Sequence, residues 1–142
     1  MHVLITGAHG QLGNELKCLF ESGVSEIGPI PEVFVEPDVD YTDADELDIT
    51  SAETVNTWFD QHEHYDVVIN CAAATNVDGC ESNFEMAFAV NALGPMNLAR
   101  ACNSTQTKLV QVSTDYVFSG KESYPRTEQD APCPVSAYGR SK

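Results

Sequence analysis

Thr6-Gly7-Ala8-His9-Gly10-Gln11-Leu12-Gly13 is the stretch that decides how this chain folds. Before it, His2–Thr6 is a short apolar run that predicts a strand. After it, Gln11–Glu21 carries Leu12, Leu16, Leu19 and Phe20 at helical spacing. Three glycines in the spacing Gly-x-x-Gly-x-x-Gly therefore fall on a strand-to-helix junction. Gly7 permits the tight turn, Gly10 lets backbone approach a diphosphate, and Gly13 lets the helix lie close to the sheet. His9 is a phosphate contact or a solvent-facing loop residue.

Strands and helices keep alternating downstream. Val33–Glu36 reads as strand two, with a short edge strand near Glu46–Leu47. Thr50 or Ser51 N-caps a helix running to Gln61. Asp66–Asn70 is a buried strand, Ser82–Asn103 one long helical segment, and Lys108–Ser113 another strand. Tyr124–Val135 holds three prolines and reads as loop, and Ser136 caps a final helix. This alternation predicts an α/β domain over residues 1–142: a Rossmann-type, doubly wound parallel sheet covered on both faces. The last helix is too short to be stable alone. That reads as the N-terminal portion of a longer protein, cut after the helix bearing Tyr138 and Lys142, with a C-terminal substrate-binding part absent.

Acids outnumber bases 22 to 7, for a net charge of −15. That balance argues against nucleic acid or an anionic membrane as a partner. Phosphates would have to be held by N–H groups at a helix start rather than by cations. Arg126, Arg140 and Lys142 bring positive charge late in the chain. No apolar run approaches the ~18 residues of a membrane span, and the start does not resemble a signal peptide, so the expected location is the cytoplasm. Five cysteines, an odd number without Cys-x-x-Cys, predict free thiols. His62-Glu63-His64 reads as solvated surface rather than as a metal pair.

Four further segments carry chemistry. An acid closing strand two would bind a ribose 2′-hydroxyl, whereas an arginine would accept a 2′-phosphate. Glu36-Pro37-Asp38 offers Glu36 or Asp38 and no base, which favours NADH over NADPH. Small residues in Asn70-Cys71-Ala72-Ala73-Ala74-Thr75 leave room for a flat ligand over a strand's carboxyl end. Val112-Ser113-Thr114-Asp115-Tyr116 places a hydroxyl where it can meet a substrate carbonyl. In Tyr138-Gly139-Arg140-Ser141-Lys142, positions i and i+4 share a helix face and set a phenol beside an ammonium. A neighbouring cation favours phenolate, which suits such a pair to proton transfer.

Taken together, Gly7 to Leu16, Asn70 to Asp78, Ser113 to Gly120 and Tyr138 to Lys142 resemble the extended short-chain dehydrogenase/reductases, and among them the dTDP-4-dehydrorhamnose reductase family. The resemblance implies NAD(P)H-dependent reduction of the C4 keto group of a dTDP-4-keto-6-deoxy-L-sugar. It implies Tyr138 as proton donor, Lys142 on the nicotinamide ribose, and Thr114 on the substrate oxygen. Asp115 and Tyr116 then face the dTDP-sugar. Gly7, His9, Gly10, Gln11, Leu12 and Gly13 serve the diphosphate, Asp48 and Ile49 the adenine, and Cys71, Ala72, Ala73 and Ala74 flank the cofactor. Asn91 matches a structural asparagine of the family. Glu15 falls where some relatives place an acid of magnesium-bridged dimers, which would make the full-length parent a homodimer. The alternatives are another nucleotide-sugar reductase or epimerase, or a non-catalytic dinucleotide-binding regulatory subunit.

Overall fold

The structure, a computed structural model, describes residues 1–142. Four parallel strands form the sheet in the order β4-β1-β5-β6. They are β1 (His2–Thr6), β4 (Asp38–Thr42), β5 (Val67–Asn70) and β6 (Lys108–Gln111). A two-stranded hairpin, β2 (Val24–Ser25) and β3 (Gly28–Pro29), lies outside it. The helices are α1 (Gln11–Ser22), α2 (Ala52–Gln61), α3 (Val77–Ser82), α4 (Phe84–Phe88), α5 (Gly94–Thr105) and α6 (Ala137–Ser141).

Side-chain alternation along β1 divides the core. Val3 and Ile5 turn to one face, where Leu16 and Phe20 of α1 cover them together with Val39 and Tyr41 of β4. Leu4 turns to the other, joining Val68, Val55 of α2, and Leu98, Ala101 and Cys102 of α5. Fully burying each such aliphatic side chain contributes about 1.5–3 kcal/mol. The expected doubly wound α/β architecture is therefore present, with a helix layer on each face.

Strand two is displaced from its expected place. Glu32–Phe34 is a 3₁₀ turn, and the strand paired with β1 is Asp38–Thr42, in register His2 with Asp38 and Thr6 with Thr42. The run Val33-Phe34-Val35 is more apolar, but Pro31 and Pro37 bracket it. An edge strand tolerates charge on alternate positions, and Asp40 is satisfied there by the Tyr65 hydroxyl at 2.5 Å. Glu46–Leu47 is a turn, not a strand: the Leu47 N–H donates to Asp43 C=O. Strand β6 stops at Gln111 rather than Ser113.

The long helix expected over Ser82–Asn103 is broken. Asn76 and Asn83 cap α3 and α4 through their side chains. Between α4 and α5 lies a π turn, Ala89–Leu93. Pro95 follows it and has no N–H to donate to the carbonyl of Asn91, so the ladder widens there. The π turn carries Asn91 inward, where it is buried.

Candidate active site

A cleft of about 410 Å³ opens at the carboxyl end of the sheet, where β1, β4 and β5 deliver their following loops. Ligands of open α/β sheets bind at this end. Gly7 and Gly10 form one wall, Cys71, Ala72 and Ala73 another, and Asp48 and Ile49 a third. Gly7 adopts the left-handed region at φ +67°, and a Cβ there would lie 2.5 Å from the Ala72 nitrogen. The glycine is what lets these two loops touch. Gly13 lies beneath the turn, where a Cβ would strike the Gly7 carbonyl. Gly10 N-caps α1 without any side-chain acceptor, so the positive end of the helix stays available to an anion. Gln11 and Leu12 stand exposed on the first turn of α1, outside the cleft lining.

The acid at the close of strand two is neither Glu36 nor Asp38. Asp38 pairs with His2 at the amino edge, the far end of the sheet from the glycine turn, and Glu36 precedes it. Asp43 follows Thr42 directly and lines the cleft. Its Oδ2 accepts the His9 N–H at 3.0 Å, and its Oδ1 accepts the Ala44 N–H at 2.9 Å. His9 thus ties the glycine turn to β4. Asp43 was legible as the first acid after a strand with period-two alternation, once Val39 and Tyr41 are taken as its core face. Asp48 accepts from both the N–H and the hydroxyl of Thr50, which holds Ile49 over the cleft.

A second group of residues assembles around α6. Tyr138 is buried, and its ring meets that of Tyr116 edge-on at 5.5 Å. Gly139 allows this approach, since a Cβ there would strike the Tyr116 carbonyl. Thr114 accepts the Tyr116 N–H at 3.3 Å, closing the turn that follows β6. Asp115 and Tyr116 are exposed. Lys142 has no carboxylate partner. Its Nζ donates to the Val112 carbonyl at 2.9 Å, and partial burial holds its pKa below the ordinary lysine value.

Two polar networks lock this group to the sheet. In one, Thr6 Oγ1 donates to Asn70 Oδ1 at 2.5 Å, and Asn70 Nδ2 donates to Gln111 Oε1 at 2.7 Å. Gln111 Nε2 then donates at 2.9 Å to the same Val112 carbonyl that receives Lys142. In the other, Asn91 holds both backbone groups of Ala74 and donates to Ser141 Oγ at 2.9 Å. At the start of α6, the Ala137 N–H donates to Glu81 Oε1 at 2.7 Å. Sequence reasoning missed Glu81, Gln111 and Ser141, because only tertiary approach gives them a role.

The fold and site match known proteins. Residues 1–142 fit the family described as the RmlD substrate binding domain. The chain belongs to that family. A Haloferax volcanii protein, the probable low-salt glycan biosynthesis reductase Agl14, is 42% identical over 143 residues, covering 100% of this chain and 46% of that one. The crystal structure of a Clostridium acetobutylicum dTDP-4-dehydrorhamnose reductase superposes with a TM-score of 0.87 at 43% identity, over 99% of this chain and 46% of that one. The Bacillus anthracis dTDP-4-dehydrorhamnose reductase, solved in complex with NADP, gives 0.83 at 34% identity, over 99% and 45%. This chain thus spans less than half the length of the relatives it matches.

Glu15 is exposed on α1, and no cluster of three metal-ligating side chains occurs in the chain. Nothing in the structure supports the magnesium expectation attached to Glu15. All five cysteines are free thiols, and burial pushes Cys71 upward and Cys102 to about 11. No helix is long and apolar enough to cross a membrane.

Proposed function

We propose that this chain is the dinucleotide-binding portion of an NAD(P)H-dependent reductase acting on the C4 keto group of dTDP-4-dehydro-L-rhamnose and yielding dTDP-L-rhamnose. The observation that carries the reading is the cleft itself. A glycine turn, an uncapped helix start and a ledge of small residues meet at the carboxyl end of the sheet, and α6, with Tyr138 and Lys142, is hydrogen-bonded to that ledge through Asn91. The relatives named above, reductases of dTDP-sugars among them, support the substrate class.

The residues present fit a dinucleotide. The donor set at the glycine turn is backbone N–H, suited to a diphosphate. Asp43 offers a carboxylate to ribose hydroxyls, and with no Lys or Arg in the cleft lining it favours NADH over NADPH. Cys71, Ala72 and Ala73 leave a flat surface for the rings, and Ile49 an apolar one for adenine. When bound, a reduced nicotinamide supplies hydride. This chain's part is to place the proton. Tyr138 donates it from its hydroxyl to the substrate carbonyl oxygen as charge develops there. Lys142 stabilises the resulting phenolate, and Thr114 gives the same oxygen a hydrogen bond.

The test is NADH or NADPH oxidation by the protein with dTDP-4-dehydro-L-rhamnose, beside Tyr138→Phe. Wild-type turnover, reduced at least a hundredfold in the variant (on the order of general acid catalysis), supports the assignment. Undiminished turnover in the variant removes Tyr138 from it.

A further inference from the structure

The cleft sits in a field hostile to the ligand proposed for it. Between Lys17 and Arg100 the sequence contains seventeen Asp and Glu and not one Lys or Arg. That stretch supplies two of the three walls of the cleft, with Asp43 and Asp48 among the lining residues. None of the protein's acids is buried. A single Lys or Arg side chain pairs with a carboxylate, Arg126 with Glu122, and it lies in the loop after β6. Elsewhere the charge is not neutralised locally, so it sums into a long-range negative potential.

Two electrostatic contributions therefore act on a bound dinucleotide. Backbone N–H groups attract its diphosphate at hydrogen-bond range, where salt screens little. The unpaired carboxylates repel it over distances beyond a Debye length, where salt screens strongly. Resting on the dinucleotide reading above, we propose that affinity for NADH and NADPH at this cleft rises with ionic strength. Sites that hold phosphates with Lys and Arg lose affinity as salt increases; the opposite response follows here from where the charges lie.

The size of the effect follows from the charge. A 142-residue chain approximates a sphere of ~19 Å radius. Placing its net −15 on that sphere and shortening the Debye length from about 10 Å to about 3 Å, as between 0.1 M and 1 M salt, removes repulsion equivalent to roughly tenfold in affinity for a dianion such as NADH. For NADPH, with a further phosphate, the gain is about a hundredfold. Neutral adenosine gains nothing by this route.

The experiment titrates NADH, NADPH and adenosine into the protein at 0.1, 0.3 and 1 M KCl, with far-UV circular dichroism recorded at each salt to normalise for the folded fraction. The expected order of salt enhancement is NADPH, then NADH, then adenosine with none. Weakening of the dinucleotides by salt, or an equal response of all three ligands, overturns the proposal. A triple variant, Glu32→Gln, Asp60→Asn and Glu63→Gln, neutralises exposed acids outside the cleft and is expected to lower both dinucleotide slopes by about a fifth, in proportion to the charge removed. Unchanged slopes would place the effect in a bound counter-ion and overturn the field explanation. No binding of NADH or NADPH at any salt, with the protein folded, overturns the dinucleotide reading itself and this inference with it.

Discussion

Gly7 and Gly23 share a backbone conformation and differ in surroundings, which makes them a matched pair. Both sit at φ +67°. At Gly23, which closes α1 by donating its N–H to Leu19 C=O, a Cβ would meet nothing within 4 Å. At Gly7 it would lie 2.5 Å from the Ala72 nitrogen and 2.6 Å from the Ala72 Cα, both backbone atoms. An alanine forced into the left-handed region costs about 1–2 kcal/mol, partly offset by about 0.4–1 kcal/mol from a stiffer unfolded chain. Gly23→Ala should therefore lose about 1 kcal/mol. Gly7→Ala adds an overpacking cost of about 1–3 kcal/mol, because the loop after β5 must move. Urea unfolding followed by the single tryptophan, Trp58, reads both. The Gly7 variant should lose about 1–3 kcal/mol more than the Gly23 variant, and it alone should lose dinucleotide affinity. Equal losses in stability would refute the claim that contact between the glycine turn and Ala72 is what requires Gly7.

Other expectations follow from the same geometry. Gly139→Ala pushes a methyl into the Tyr116 carbonyl and should lower turnover by about a hundredfold, as a displacement near 1 Å does, with NADH affinity less affected. Asp43→Asn keeps an acceptor for the His9 N–H but removes charge from the cleft, so the ratio of NADPH to NADH affinity should rise about tenfold on titration of both. Burial and the Asp40 contact raise the Tyr65 pKa in the folded state. The stability this contributes is complete below the unfolded tyrosine value, ~10, and is lost as pH rises beyond it; Tyr65→Phe should flatten the alkaline limb of a stability–pH curve. Cys71, half-buried with a raised pKa, should react with iodoacetamide more slowly than exposed Cys18 and Cys133, by mass spectrometry of timed samples.

The glycine turn, the β5 ledge and the Tyr138 helix were legible in the sequence because each is a local pattern: glycines at a junction, small residues after an apolar run, i and i+4 on one helix face. Strand two was not. Local hydrophobicity favours Val33–Val35, but pairing with β1 favours Asp38–Thr42, where Val39 and Tyr41 meet α1 and Asp40 finds Tyr65. That misplacement shifted the expected acid as well, to Glu36 and Asp38, whereas the acid that follows the paired strand and lines the cleft is Asp43. The break in the helix after Ser82 was equally hidden. Asn83 and Pro95 both signal interruption, yet the apolar spacing runs through them, and only the inward turn of Asn91 shows what the π turn accomplishes.

Helix α6 is five residues long, and most of what secures it comes from at least thirty positions away: Glu81 at its start, Asn91 near its end, and the Val112 carbonyl beneath Lys142. So short a segment has little intrinsic tendency to persist, and its attachments are severed together when it detaches. The Tyr138 phenol therefore rides on a unit that can open sub-globally while the four-stranded sheet stays intact. Amide exchange across Ala137–Ser141 would run faster than across β1, and any ligand that bridges α6 to the sheet would slow it in proportion to its occupancy.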